Sequence, residues 1–545
     1  MKDIEFIFIA QSETIDYGGY SKLPADRIEL YRDLVYPRMV YFKGAFRSHL
    51  DLINYFTEGK FFNEAGYAER RKLLNMWNLP GMNSLHLANY LAQYGIAAKV
   101  INNFDAEWDI FRDAYGSAKR PPIVGISTTF HLSYMEAKRI AGEIRKEYPD
   151  AVIALGGAFV NEQSINGELR DMEKPMRKYG INYILHAFNS EADLRDLVLA
   201  SRKGALPGSV NNLAYLGGGD LKSCAFGTTG TKWNDPVLED DPELWDKLDM
   251  KFVNHTVQTR TSYGCPFSCA FCSYPKTAKK FCQMDIDAVE KQVNGLLKIP
   301  GVDKIIFVDD TFNASPARFK DICRSLGKYN FEWFAFLRAN LIDEETARLM
   351  VRSGCRGVYL GIESADDAVL KNMNKKATHS QCLEGIRFLK KYGVTTVAAF
   401  IIGFPGETEE TLKEDVEFIE SSGVDFYTLK EFYYMKHTAV YEDRGRFGLS
   451  GIGNKWRHDT MDYKKAQAAK IDMFRSIKNS VYVDADTSLW YIAYLYDQGY
   501  DISRTAAAQR RINGIAARQI DGMTDDNDRL FKELGEILSK EAVRK

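Results

Sequence analysis

Cys265, Cys269 and Cys272 fall in the run Tyr263-Gly264-Cys265-Pro266-Phe267-Ser268-Cys269-Ala270-Phe271-Cys272, a C-x3-C-x2-C triad expected on a tight loop just after a strand-like stretch. Three thiols that close together are the chemistry of a metal site. A structural zinc takes four ligands and a conventional ferredoxin cluster takes four cysteines, yet no fourth cysteine stands at ligand spacing. Cys282 lies ten residues on, beyond a Lys-rich turn. A four-iron, four-sulfur cluster held by three cysteines leaves one iron open to an outside ligand. A zinc knuckle completed by a distant residue is the alternative.

The elements that must position these thiols form a regular alternation from residue 256 onward. Strands are expected at 256–261, 304–309, 332–337, 357–362, 396–402 and 425–430. Amphipathic helical stretches separate them, among them 285–297, 316–328, 343–352 and 379–392. Six strand-helix units predict a partial (β/α)6 TIM barrel over 256–440, and the active sites of such barrels collect at the carboxyl ends of the strands. A mostly helical C-terminal domain over 441–545 follows, ending in the charged run 540–545, read as a solvated tail.

Upstream, short apolar runs at 3–10, 122–128, 151–155 and 182–186 read as buried parallel strands, with helix-period segments at 83–93 and 133–148 between them. The order predicts an α/β, Rossmann-like domain over 1–205. Residues 11–80 form an aromatic-rich insertion, expected to carry its own helices and to cover the ligand face. Residues 206–255, rich in Gly and Asp, read as a connector. Ligands of doubly wound sheets meet the carboxyl ends of the strands, which singles out Ser127, Thr128, Thr129 and Phe130, then Gly156, Gly157 and Ala158. No G-x-G-x-x-G follows the first strand, which disfavours a dinucleotide.

The cysteine run with Phe271 before its last member, then Phe307-Val308-Asp309-Asp310-Thr311-Phe312, Gly361-Ile362-Glu363-Ser364 and the stretch from Phe400 to Thr408, in this order, resemble the signature of the radical S-adenosylmethionine enzymes. The resemblance implies a 4Fe-4S cluster on the three cysteines, with S-adenosylmethionine chelating the open iron. It assigns Asp309 or Asp310 to the cofactor's ammonium and Arg338 to its carboxylate. Glu363, with Ser364, falls to the ribose, and Gly403 and Gly406 expose backbone groups to the adenine. Over roughly 1–205 the pieces Leu79 to Ala88, Val124 to Phe130 and Ala154 to Ala158 resemble the cobalamin-binding domain attached to many such enzymes. The D-x-H-x-x-G motif of one cobalamin class is missing, so a lower cobalt face without a histidine ligand is expected. His86 and His131 lie nearest the crevice and read as structural. A degenerate Rossmann domain that binds no cofactor is the other reading.

Together these resemblances point to a class B cobalamin-dependent methyltransferase. The implied scheme generates a 5′-deoxyadenosyl radical, removes hydrogen from an unactivated substrate position, and moves a methyl group from methylcobalamin to the substrate radical. The target would be carbon, or the phosphorus of a phosphinate, in a small molecule or peptide. Tyr433, Tyr434, His437, Trp456 and His458 are the candidate substrate-pocket residues in the aromatic region after 430. Rival readings are a cyclase or oxidoreductase without methyl transfer, and a non-catalytic cobalamin or iron–sulfur binding protein. The implied partner is an external electron donor such as flavodoxin or ferredoxin.

Composition sets the outer limits. Lys plus Arg at 72 against Asp plus Glu at 74 leave a net charge of −2 over 545 residues, which offers no electrostatic case for nucleic acid or an acidic membrane. No stretch reaches the roughly 18 apolar residues of a membrane span. Eight cysteines, three clustered and five scattered, fit reduced thiols in a cytoplasmic setting.

Overall fold

The structure, a computed structural model, describes residues 3–13, 35–131, 133–205, 207–217, 221–248, 250, 255–483, 488–523 and 527–539. The first part of the expected insertion, the Gly218-Gly219-Asp220 stretch and the charged run 540–545 lie outside the described residues.

Seven strands, β1 (Phe6–Gln11), β2 (Ala98–Asn103), β3 (Ile123–Ser127), β4 (Val152–Gly156), β5 (Tyr183–Leu185), β6 (Leu213–Leu216) and β7 (Phe226–Thr228), form one sheet of order β2-β1-β3-β4-β5-β6-β7. β1 to β5 run parallel, and β6 and β7 add an antiparallel edge. Residues read from sequence as connector thus extend this sheet. The strand order reverses between β1 and β3, the switch point at which doubly wound sheets open a crevice.

Alternation along β1 sets the two cores. Ile7 and Ile9 join Val124, Ile126, Ile153 and Leu155 on one face. Phe6 and Phe8 face the other way with Ala154 and Leu185, in a cluster that continues without a break into the second sheet.

That second sheet is parallel throughout: β8 (Thr256–Thr259), β9 (Lys304–Phe307), β10 (Glu332–Leu337), β11 (Cys355–Glu363), β12 (Thr395–Ile402), β13 (Phe426–Glu431) and β14 (Val481–Tyr482), in chain order. The six expected strands are present, and β14, contributed by the C-terminal region, adds a seventh. β11 slips register against β12 between Gly361 and Glu363, a bulge that leaves Glu363 at φ 72°.

The described part of the insertion carries a hairpin, Met39–Phe42 with Ala45–Ser48, and a helix, His49–Glu58. Against expectation these pack mainly on the C-terminal helices Ile502–Ile520 and Asn527–Leu538 rather than over the ligand face. Gln519 donates to the Tyr41 carbonyl at 2.9 Å and accepts from the Tyr41 N–H at 2.8 Å. Phe42 and Phe531 meet with ring centroids 4.3 Å apart. Trp77, against Phe130 at 5.4 Å, reaches the loop after β3.

Phe531→Ala should therefore cost about 3–5 kcal/mol, lower the thermal melting temperature and open residues 35–58 to early proteolysis. Unchanged melting with unchanged cleavage mapping would contradict this packing role.

Candidate active site at the junction of the two sheets

The cysteine loop is pinned at both ends. Tyr263 pairs with Cys282 in a two-residue antiparallel ladder, and Gly264 follows at φ 78°. A Cβ at Gly264 would collide with the Lys280 carbonyl, so no other residue fits the turn. The Ala270 N–H donates to the Met373 carbonyl at 2.8 Å, and the Val440 N–H donates to the Ala270 carbonyl at 3.0 Å. Asn374 donates to the Ser268 carbonyl at 2.8 Å. Among the described residues no three His, Cys, Asp or Glu side chains gather as they would about a single ion. Burial raises the thiols of Cys265 and Cys272, the latter to about 12, and the neighbouring thiols add to it.

The two aspartates after β9 separate. Asp309 is buried and fully engaged, accepting from the Thr261 N–H at 3.1 and 3.0 Å, from Thr261 Oγ1 at 3.0 Å and from Ser262 Oγ at 2.5 Å. Its oxygens hold the approach to the cysteine loop and are not free for a ligand. Asp310 opens onto a cavity. The surrounding protein raises its carboxyl to about 7, against a lowering hydrogen bond from Tyr274 and with a further push from Asp309.

Arg338 lies beside the loop. Its Nη1 stands 3.8 Å from Cys269 Sγ, and its guanidinium covers the Phe267 ring at 3.9 Å. Although only 4% exposed, it leaves Nε and Nη2 without a hydrogen-bond partner among the described residues. A buried cation with two free donors is costly unless an anion meets it.

The remaining predicted residues sort unevenly. Glu363 forms a buried ion pair with Lys375 at 2.8 Å. Ser364 is buried and bonded to Asp415 at 3.2 Å, so it supports the strand end. Gly403 offers nothing to a base: its N–H donates to Glu407, and its carbonyl accepts from His458 Nε2 at 3.0 Å. A Cβ there would strike Trp456. Gly406 sits at φ 101° against Asn372, whose amide donates to the Pro405 carbonyl at 3.3 Å. His458 stacks on Trp456 at 5.2 Å, and burial lowers its pKa. Tyr434 is buried and pairs with Gly453 through its backbone. Tyr433 is 50% exposed, and His437 is half-buried at φ 64°.

On the first sheet, Ser127 Oγ and Thr129 Oγ1 lie 3.1 Å apart, and Thr128 turns inward to bond the Gly156 carbonyl through N at 2.7 Å and Oγ1 at 2.9 Å. Ser127, Thr129, Gly156 and Gly157 border a cavity of about 350 Å³; Thr128 does not. The cavity runs from Gly125, Ala154 and Gly156 to Arg260, Ser262, Tyr274 and Asp310, and so joins the two sheets. A Cβ added at Gly156 would meet no protein atom nearer than 3.9 Å, so the open space belongs to the cavity.

Sequence reasoning missed several residues of this cavity: Arg260, Tyr274, Asn189 and Glu191. His86, read as structural, bonds Asp240 at 2.8 Å and Glu191 at 3.3 Å. Burial would lower its pKa, but the two carboxylates outweigh that and raise it to about 9. His131 is buried, apart from the cavity wall, and its Nδ1 has no partner among the described residues.

Residues 259–419 match the family model of the radical SAM superfamily. An uncharacterized methyltransferase of Pyrococcus horikoshii is 28% identical over 340 residues, 60% of this chain and 67% of that protein. The radical S-adenosylmethionine methyltransferase TsrM of Kitasatospora setae, solved with cobalamin and a [4Fe-4S] cluster, superposes with a TM-score of 0.51 at 19% identity, covering 68% of this chain and 74% of that one. The cobalamin-dependent S-adenosylmethionine radical enzyme OxsB, solved with aqua-cobalamin and S-adenosylmethionine, gives 0.55 at 15% identity over 85% and 76%. These two likenesses establish a shared fold. No helix among the described residues is long and apolar enough to cross a membrane.

Gly264→Ala should displace the cysteine loop. Alkylation of Cys272 followed by mass spectrometry should accelerate relative to wild type while far-UV circular dichroism stays the same; an unchanged rate would refute the steric argument.

Proposed function

We propose that this chain, whose residues 259–419 match the radical SAM superfamily model, is a cobalamin-dependent radical S-adenosylmethionine methyltransferase acting on an unactivated carbon, or a phosphinate phosphorus, of a small-molecule or peptide substrate. One observation carries the reading: a single cavity extends from a small-residue face of the first sheet to the barrel end that holds the cysteine loop. The methyltransferase name of the Pyrococcus horikoshii relative and the folds of TsrM and OxsB support it.

The residues present fit the groups this function requires. Cys265, Cys269 and Cys272 would hold the cluster, and the free Nε and Nη2 of Arg338 suit the methionyl carboxylate through a planar fork. Asp310 is placed for the ammonium, and the Glu363–Lys375 pair for the ribose hydroxyls. Ala154 and Gly156, beside the Phe6 ring that covers Gly125, leave an apolar floor for a corrin ring, rimmed by Asn83, Ser127 and Thr129. When these groups are bound, the cluster and S-adenosylmethionine supply a 5′-deoxyadenosyl radical and the corrinoid supplies the methyl group. The protein positions them and excludes water, for which Phe188, Tyr263 and Tyr274 form an aromatic wall with centroids 5.7–5.8 Å apart. Tyr433 and His437 remain the accessible candidates for substrate contact, while Tyr434 and His458 act as supports. An external electron donor of the flavodoxin or ferredoxin type and a cytoplasmic setting belong to the same reading.

Anaerobically reconstituted protein should show corrinoid absorbance bands, release 5′-deoxyadenosine under reduction, and pass labelled methyl from S-adenosylmethionine to product. 5′-Deoxyadenosine without label transfer in the presence of bound corrinoid and a turned-over substrate would replace this reading with a cyclase or oxidoreductase. Gly156→Leu should abolish corrinoid binding yet keep iron content and 5′-deoxyadenosine release. Arg338→Met should weaken S-adenosylmethionine binding by about tenfold or more, since a hydrogen bond to a charged group contributes roughly 1.5–3 kcal/mol. Binding within twofold of wild type would remove Arg338 from that role.

A further inference from the structure

The cysteine loop has an outer side. None of residues 265–272 lines the cavity between the two sheets. Pro266 and Ser268, at the turn of the loop, are exposed to solvent, and Cys265, Cys269 and Cys272 are half-buried. The thiols are therefore approachable from a surface that the cavity does not occupy.

Two segments far apart in sequence border that outer side. Asn374 donates to the Ser268 carbonyl at 2.8 Å and to Ser268 Oγ at 2.9 Å, which seats residues 371–376 against the turn. The Val440 N–H bonds the Ala270 carbonyl at 3.0 Å, and Arg446 Nη2 donates to Asn372 Oδ1 at 3.0 Å, which brings residues 440–446 beside them. Lys371, Lys376, Arg444 and Arg446 are exposed, and none of the four makes an ion pair among the described residues. Lys276 adds another cation, paired with Glu442, and Asp443 is the other carboxylate of the second segment. A chain with a net charge of −2 thus gathers an excess of positive charge around one loop.

Within the same turn Pro266 is exposed and Phe267 half-buried, so the cations border a small apolar spot. An acidic protein with an apolar redox group at its surface carries the complementary pattern, and the exposed edge of a bound flavin is such a group. We infer that the face around Ser268 is the docking surface of an acidic flavoprotein that reduces the cluster. One electron leaves the two-electron-reduced flavin and enters the oxidised cluster; no bond forms or breaks. The inference rests on the iron–sulfur reading of the cysteine loop and names the surface and the partner that serve it. Electron-transfer encounters bury little area, under about 1,200 Å², so charge governs how fast they form.

The test uses the full-length protein with its cluster reconstituted anaerobically, and flavodoxin as the probe. Calorimetric titration with oxidised flavodoxin should show binding that weakens as salt rises from about 0.02 M to about 0.5 M, where screening shortens the reach of surface charge. The double variant Lys371→Glu/Lys376→Glu should bind at least about tenfold more weakly at low salt. Carbodiimide coupling followed by mass spectrometry should join Lys371 or Lys376 to flavodoxin carboxylates. Lys174→Glu/Lys178→Glu, an equal charge reversal on the first domain, should bind as wild type does. Reduction of the cluster by photoreduced deazaflavin, a small neutral reductant, should proceed alike in all three proteins. Equal binding by wild type and the Lys371/Lys376 variant overturns the inference, as do equal losses in both variants or cross-links confined to other lysines. Cluster reduction by ferredoxin but not by flavodoxin overturns the choice of partner. Protein that takes up no cluster removes the proposed function, a result distinct from a cluster that deazaflavin reduces and flavodoxin does not.

Discussion

Everything at the junction depends on how the connector crosses from one sheet to the other. Asp241 exchanges two hydrogen bonds with Asn89, each 2.9 Å, and the adjacent Asp240 takes the His86 bond. Pro242 then lies where a Cβ on Gly295 would collide with it, and the Asp240 N–H reaches Gln292 at 3.3 Å. One short segment therefore clamps the helix Met82–Gln93 of the first domain to the helix Ile286–Leu296 of the barrel. Gln258 adds a direct tie to the Pro80 carbonyl at 2.7 Å. With both sheets held this way, their polar ends close on one cavity instead of opening separately to water.

Much of the fold was legible because parallel strands buried on both faces read as continuous apolar runs. β3, β4 and β12 are such runs, and the helices between them carry clean amphipathic periods. β2 escaped notice for a physical reason. As an edge strand it carries Lys99, and its last residues, Asn102 and Asn103, are buried polar groups whose bonds go to loops: Asn102 donates to the Trp77 carbonyl at 3.0 Å and accepts from the Gly81 N–H at 2.9 Å. A polar strand end satisfied by distant loops leaves no local apolar signal. β6, β7 and β14 are two to four residues long and take their pairing from tertiary context, which composition cannot reveal.

At the site, motif position was legible and side-chain direction was not. Asp309 and Asp310 are chemically identical neighbours, yet one turns inward to build the loop and the other meets the cavity. The glycine stretch after β12 shows the same limit. A glycine can be required because a ligand approaches or because a side chain does, and at Gly403 the occupant is Trp456. Trp456 is locked by its own indole bond to the Phe432 carbonyl at 2.7 Å and by His458 stacked upon it. The aromatic residues after 430 that looked like a substrate pocket thus include the wedge that shapes the strand end above them.

Among the described residues, two buried charges near the junction have atoms without a hydrogen-bond partner: Arg338, at Nε and Nη2, on the barrel, and Glu191, at Oε2, where the first domain meets it. An apolar pocket would bind a disc or a nucleoside in many orientations, since burial has no direction. A buried charge adds the direction that apolar walls lack, because only a ligand edge of complementary chemistry can meet it. On this argument the site is specified less by its hydrophobic walls than by the polar valences that the chain leaves open.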